Sequence, residues 1–278
     1  MSQMTNQPIT SKSAYWGFGL IAALALASAA FLAATPAHAR QQATSESRGF
    51  QDCAQHFGDA FPSLPTTAPD KQRELCFDEF AIMHSGDTKT PLFVAQRLNR
   101  QLLVDAKAVD RRDNFYEEAR LPSSHRAWLR DYRATDSQGR RYDRGHLAPA
   151  ADMATGNGMA QSFSLANMVP QVPANNRGPW AKIEEDTRRY VMRARGDVYV
   201  VTGAVFSAQP QRLGQGNVAI PSSLYKLVYD KTTGKSWAHW LDNTESARSG
   251  KPLSLEELEQ RTGIRFFANK LSTAAKEH

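Results

Sequence analysis

Cysteine is almost absent. The chain has two in 278 residues, Cys53 and Cys76, and without a second pair a four-cysteine structural zinc site is excluded. Two cysteines suit one disulfide in an oxidising compartment. The chain-entropy picture values such a loop at roughly 3 kcal/mol; two unpaired thiols are the alternative. Internal repeats and low-complexity tracts are missing beyond the N-terminal segment, which excludes a solenoid. His56, His84, His125 and His239 lack the spacing of metal ligands. Long apolar runs are also missing, except for one at the N-terminus.

That run covers residues 15–34, follows Lys12, and is succeeded by Ala37-His38-Ala39, the small-x-small pattern read by signal peptidases. Residues 1–39 are therefore expected to be a signal peptide cut before Arg40, giving a periplasmic or secreted protein. Because about 20 apolar residues cross a bilayer, an uncleaved membrane anchor is the alternative. Residues 40–49 are polar and aperiodic and read as a flexible leader. Residues 50–278 are expected to form one domain, since 41% hydrophobic residues in a chain of this length build one substantial core. The formal charge of +6 favours polyanionic partners, either nucleic acid or an anionic lipid surface.

Within the domain, residues 77–84, 92–98, 198–203, 223–229 and 236–241 have strand character. Ser123 or Ser124 is placed to cap a short helix through Trp128 and Tyr132. Pro179 suits the first turn of a charged helix running to about Arg195. Ser254 and Glu257 form a capping-box pattern opening a helix that stops at Gly263. Strands and helices do not alternate regularly, so the expected class is α+β with a largely antiparallel sheet, not a doubly wound fold.

The most informative stretch runs from Tyr142 to Asp152, where a short polar strand delivers His146 into a turn with Gly145 and Pro149. A neutral imidazole there can take a proton from water at ordinary pH. Read from these residues alone, a histidine beside Asp143 and Arg144 is more often structural than catalytic, so its surroundings must decide. Downstream, Asn176, Trp180 and Glu184 fall at helical spacing and would line one face, the indole wedged on the sheet and the amide and carboxylate towards the histidine. A surface helix with an Asn cap is the plainer reading. Basic residues cluster at Arg140 and Arg141 and along Lys182, Arg188, Arg189, Arg193 and Arg195. They read either as a solvated face or as a track for a phosphate backbone.

Taken together, Asp143-Arg-Gly-His146, its continuation through Leu147 to Met153, Asn167 with Pro170 and Gln171, and Asn176 with Trp180 and Glu184 resemble the DNA/RNA non-specific endonuclease family. These are the ββα-metal (His-Me finger) nucleases, and the resemblance covers about residues 75–270. It implies a Mg²⁺-dependent endonuclease acting on DNA and RNA and leaving 5′-phosphate and 3′-hydroxyl ends. It further implies His146 as general base, Asn176 as the direct metal ligand, and Glu184 orienting water on the metal. Asn167 would position His146 or that water. Arg144 would bind phosphate or brace the turn through a structural Asp143, and a phosphate-binding arginine from further upstream would be Arg111 or Arg112. Manganese or calcium could replace magnesium at an oxygen site. A homodimer is open, and the alternative function is a catalytically silent nucleic-acid-binding envelope protein.

Overall fold

The computed structural model describes residues 49–266. The expected signal peptide, the leader up to residue 48 and the final segment, residues 267–278, lie outside the described residues. In chain order, a 3₁₀ segment (Gly49–His56) precedes β1 (Gln72–Cys76), β2 (Ala81–Ser85), β3 (Thr90–Leu98) and α1 (Arg100–Ala106). Then come β4 (Asp143–His146), α2 (Gly156–Ser162), β5 (Met168–Gln171), the single turn α3 (Pro173–Asn175) and α4 (Ala181–Val191). The chain continues through β6 (Val198–Val205), the short β7 (Arg212–Leu213) and β8 (Val218–Ala219), β9 (Ser223–Asp230), β10 (Lys235–Asp242) and α5 (Leu255–Thr262).

Six strands form one sheet in the order β1-β2-β3-β6-β9-β10, with every neighbouring pair antiparallel. Side chains alternate across a strand, and both faces of this sheet are covered. Ile82, Val94 and Leu224 point into a core shared with Trp180 and Ile183 of the helical side. Their neighbours Ala81, Phe93 and Tyr225 pack on the opposite face against Phe50, Phe57, Leu258 and Phe266. The Cys53–Cys76 disulfide is formed, Cα atoms 5.7 Å apart, and fastens the N-terminal segment to β1. α5 has its full capping box at Ser254 and Glu257 and ends at Gly263 with φ +69°, a left-handed cap that glycine adopts without strain. No helix among the described residues is long and apolar enough to cross a membrane.

Three expectations need correction. The strand foreseen over residues 77–84 begins only at Ala81, because the chain turns at Phe77, whose N–H donates to the Phe80 carbonyl at 2.9 Å. No α-helix follows Ser123 or Ser124. The buried Asp131 carboxylate accepts the backbone N–H groups of Trp128 (2.9 Å) and Gly216 (2.7 Å), which fixes turns and a single 3₁₀ turn, Asp131–Arg133. Finally, α4 ends at Val191 and not near Arg195, and Pro179 lies before it in a π-helical turn, Asn176–Trp180, broken by Gly178 (φ −110°, ψ −107°).

Candidate active site

The site is built on a ββα unit laid against the helical side of the sheet. β4 pairs antiparallel with β5, His146 opposite Met168 and Asp143 opposite Gln171. Gly145 is required there by close approach: a Cβ would stand 2.2 Å from the Gln171 Oε1. Asn243, just beyond β10, fastens the unit to the sheet. Its Oδ1 accepts from the Val172 N–H at 2.8 Å, and its Nδ2 donates to the carbonyls of Pro170 and Pro221, each at 3.0 Å.

His146 is half-buried at the end of β4. Its ring sits between Phe163, perpendicular to it with centroids 5.1 Å apart, and Phe115 at 5.8 Å. The turn that follows is held by Asn167, which is fully buried. The Asn167 carbonyl accepts the Leu147 N–H at 3.0 Å and its Oδ1 accepts the Ala148 N–H at 2.9 Å. Its Nδ2 donates to the carbonyls of Ala148 and Ser162, both at 2.9 Å. The Asn167 amide is thus committed to backbone groups and braces the turn that carries the histidine. Burial, and then the Arg111 guanidinium, lower the His146 pKa to about 3, against a weaker opposing pull from Asp113. The imidazole is neutral at ordinary pH, the form that can accept a proton.

Asn176 stands at the junction of α3 and the π-helical turn. Its Nδ2 donates to Asp143 Oδ2 at 2.9 Å. Arg177 closes the other side of that carboxylate, with Nε and Nη2 donating at 2.8 and 2.6 Å. The Asn176 amide nitrogen is thus engaged as a donor and its orientation is set by the carboxylate. Asp143 is therefore bound by Asn176 and Arg177; the turn-bracing contact considered between Asp143 and Arg144 is not made. Arg144 is exposed and lies with its Cζ 3.8 Å over the Phe115 ring.

Beneath α4 lies a cluster of charges. Trp180 is buried under the helix as foreseen. Lys226 projects from β9, only 1% exposed, with its Nζ donating to Thr202 Oγ1 at 2.7 Å and 5.6 Å from the Trp180 ring centroid. Arg188 reaches inward to Asp152, Nη1 to Oδ1 3.1 Å. Burial pushes the Glu184 carboxyl up to about 7, the Lys226 ammonium pulling the other way and Asp152 adding to the rise.

The two upstream arginines separate in space. Arg111 has its Cζ 5.5 Å over Phe163, beside the histidine, with its Nε bonded to Asp113 at 2.6 Å. Arg112 lines a different cavity with Asp110, Asn114 and Gly156. In the basic cluster, Lys182 pairs with Asp186, Arg189 with Glu185, and Arg140 with Asp136, so much of it is a solvated, internally neutralised surface. Phe115, Phe163, Arg177 and Lys226 were not singled out from the sequence. Lys226 alone left a signal there, as the single charge inside the strand run over residues 223–229. The donor set for a metal is sparse: among the described residues no three His, Cys, Asp or Glu side chains form a cage.

The DNA/RNA non-specific endonuclease family profile matches residues 58–273. A nuclease from Nostoc sp. is 30% identical over 228 residues, 76% of this chain and 79% of that protein. Nuclease C1 of Cunninghamella echinulata is 32% identical over 209 residues, covering 68% and 81%. Human mitochondrial endonuclease G is 28% identical over 230 residues, covering 76% and 73%. A chain from a crystal structure of an endonuclease G–inhibitor complex superimposes with a TM-score of 0.66 at 24% identity, covering 77% of this chain and 91% of that one. That likeness establishes the ββα-metal fold. The chain belongs to the DNA/RNA non-specific endonuclease family and is a nucleic-acid-hydrolysing enzyme.

Proposed function

We propose that the protein is an exported, magnesium-dependent endonuclease that hydrolyses DNA and RNA alike, leaving 5′-phosphate and 3′-hydroxyl ends. The observation that carries this reading is that β4 bears both a neutral histidine, His146, and the carboxylate, Asp143, that orients the Asn176 amide. The donor set supports magnesium. An ion that dehydrates reluctantly is suited by one protein oxygen, several waters and substrate phosphate, and manganese is compatible with the same set. Asn176 would hold the ion through its amide oxygen. When bound, the ion supplies Lewis-acid stabilisation of the charge developing on the phosphoryl oxygens and the leaving 3′ oxygen.

His146 takes the proton of the attacking water. Glu184, once ionised, accepts hydrogen bonds from water beside Asn176 and orients it. Arg111 and Arg144 offer guanidinium groups to phosphate oxygens, Arg111 being the upstream arginine adjacent to the histidine. Asn167 acts through the backbone, keeping the turn after His146 in place. All these groups address water or phosphate and none a base edge, which supports weak sequence preference.

Side-by-side digestion of supercoiled plasmid and structured RNA, in magnesium and in chelator, tests the reading. Both substrates should be cut only with metal, and the ends should religate without prior phosphorylation. Cleavage of one nucleic acid alone, or 3′-phosphate ends, would contradict it. Export by residues 1–39 predicts a secreted or periplasmic form whose intact mass begins at Arg40; a retained N-terminus would mean an anchored enzyme.

A further inference from the structure

Beside the catalytic centre, between α1 and α4, opens a cavity of about 630 Å³. Its floor is apolar, made by Leu103, Val109, Met159 and Met192. Five of its twelve lining residues are cationic and one, Glu185, is acidic. Of the cations, Arg189 is neutralised by Glu185, whereas Lys107 and Arg193 are exposed and make no ion pair with the described residues. Arg111 and Arg188 also line the cavity. Arg111 lies over Phe163 next to His146, and Arg188 holds Asp152.

An apolar floor under unneutralised cations selects a ligand that joins a flat apolar surface to an anion. Methionine sulfur makes favourable contacts with aromatic rings and adapts to their outline. Guanidinium groups bind phosphate oxygens and stack on planar bases. A nucleotide combines the two, and the cavity shares with the proposed active site Arg111, the arginine assigned there to the substrate phosphate. An anionic lipid shares the charge but has no reason to lie in line with that phosphate.

We propose that this groove is a nucleotide subsite of the enzyme, taking one unstacked base of the substrate strand onto Met159 and Met192 and the adjoining phosphate onto Lys107 and Arg193. The proposal rests on the nuclease reading above and adds a preference to it. A base enters the groove only after leaving its stack, which costs less in an unpaired strand than in a duplex. The groove therefore favours single-stranded DNA and RNA over duplex.

Fluorescence anisotropy in chelator, where no cleavage occurs, tests this with a labelled oligonucleotide that cannot pair and with a hairpin duplex of the same length. The variants are Met192→Ser, Arg193→Gln and, remote from the groove, Arg261→Gln. Met192→Ser should raise the single-strand Kd about fivefold while leaving the duplex Kd unchanged. Arg193→Gln, at an exposed position that does not threaten folding, should lower the salt slope of single-strand binding by about 0.7. Arg261→Gln should change neither. Equal effects of Met192→Ser on the two probes, or none, would overturn the proposal. So would losses confined to vesicles containing phosphatidylglycerol. If the wild type cuts no nucleic acid with any divalent metal, the nuclease reading fails instead, an outcome distinct from intact cleavage with an indifferent groove.

Discussion

Asn176 donates its amide hydrogen to Asp143 across 2.9 Å, and Asp143 lies three residues before His146 on the same strand. One hydrogen bond thereby fixes the orientation of the proposed metal ligand against the element that carries the proposed base. Asp143→Ala frees that amide and leaves Arg177 without its partner at the surface. The magnesium concentration for half-maximal cleavage should rise about ten- to a hundredfold, with the circular dichroism spectrum unchanged. A metal titration of the cleavage rate checks it, and an unchanged midpoint would reduce Asp143 to a surface ion pair with Arg177.

The central sheet and the elements that carry the candidate site were legible in the sequence to different depths. Strands β3, β6, β9 and β10 declare themselves through β-branched and aromatic runs, and α5 through its capping box and terminal glycine. β1 does not, because Arg73 and Glu74 on an exposed edge interrupt any apolar pattern. The helix foreseen after Ser123 failed because a tertiary contact, Asp131 to Gly216, outweighed local spacing. At the site, His146, Asn176 and Glu184 follow from the motif. The aromatic slot of Phe115 and Phe163, Arg177 on Asp143, and Lys226 under Trp180 depend on elements far apart in sequence, and no local pattern carries them.

Lys226 is a buried ammonium beneath Glu184, and its two effects can be separated. Removing one member of a buried charge cluster leaves its partners uncompensated, so Lys226→Met should fold with a lowered Tm, part of the loss being relieved when the Glu184 carboxyl stays protonated. Burial raises the Glu184 pKa to about 7 even against the opposing pull of the Lys226 charge. Without it Glu184 ionises at higher pH. The acid limb of kcat should therefore move to more alkaline pH in Lys226→Met, and Lys226→Arg should restore part of the shift. A pH–rate profile that merely falls in height, with its limb unmoved, would make Lys226 a packing residue.

His84 gives a stability prediction of definite sign. The ring is 1% exposed on β2, and burial lowers its pKa from the ordinary 6.5 to about 3, outweighing the backbone of Lys89 and the Glu118 carboxylate, while His125 adds slightly to the lowering. Between pH 6.5 and 3 the unfolded chain binds a proton at His84 that the native state refuses. The stabilisation is complete above about pH 6.5 and is lost as pH falls through that window. His56, lowered to about 4 by burial, acts in the same direction. Thermal unfolding from pH 7.5 to 4 should show Tm dropping with acid, and His84→Phe should flatten the drop. A parallel decline in the variant would assign the acid sensitivity to other groups.

The separation of roles between His146 and Asn176 is tested most directly by single-turnover cleavage as a function of magnesium concentration in His146→Ala and Asn176→Ala. A neutral base held in an aromatic slot predicts that His146→Ala loses about 10²- to 10⁴-fold in rate at saturating metal, with the metal midpoint unmoved. Asn176→Ala should instead shift the midpoint to much higher concentration and recover rate as metal is added. Full activity in His146→Ala, or the same displaced midpoint in both variants, would contradict the assignment of the proton to His146 and the metal to Asn176.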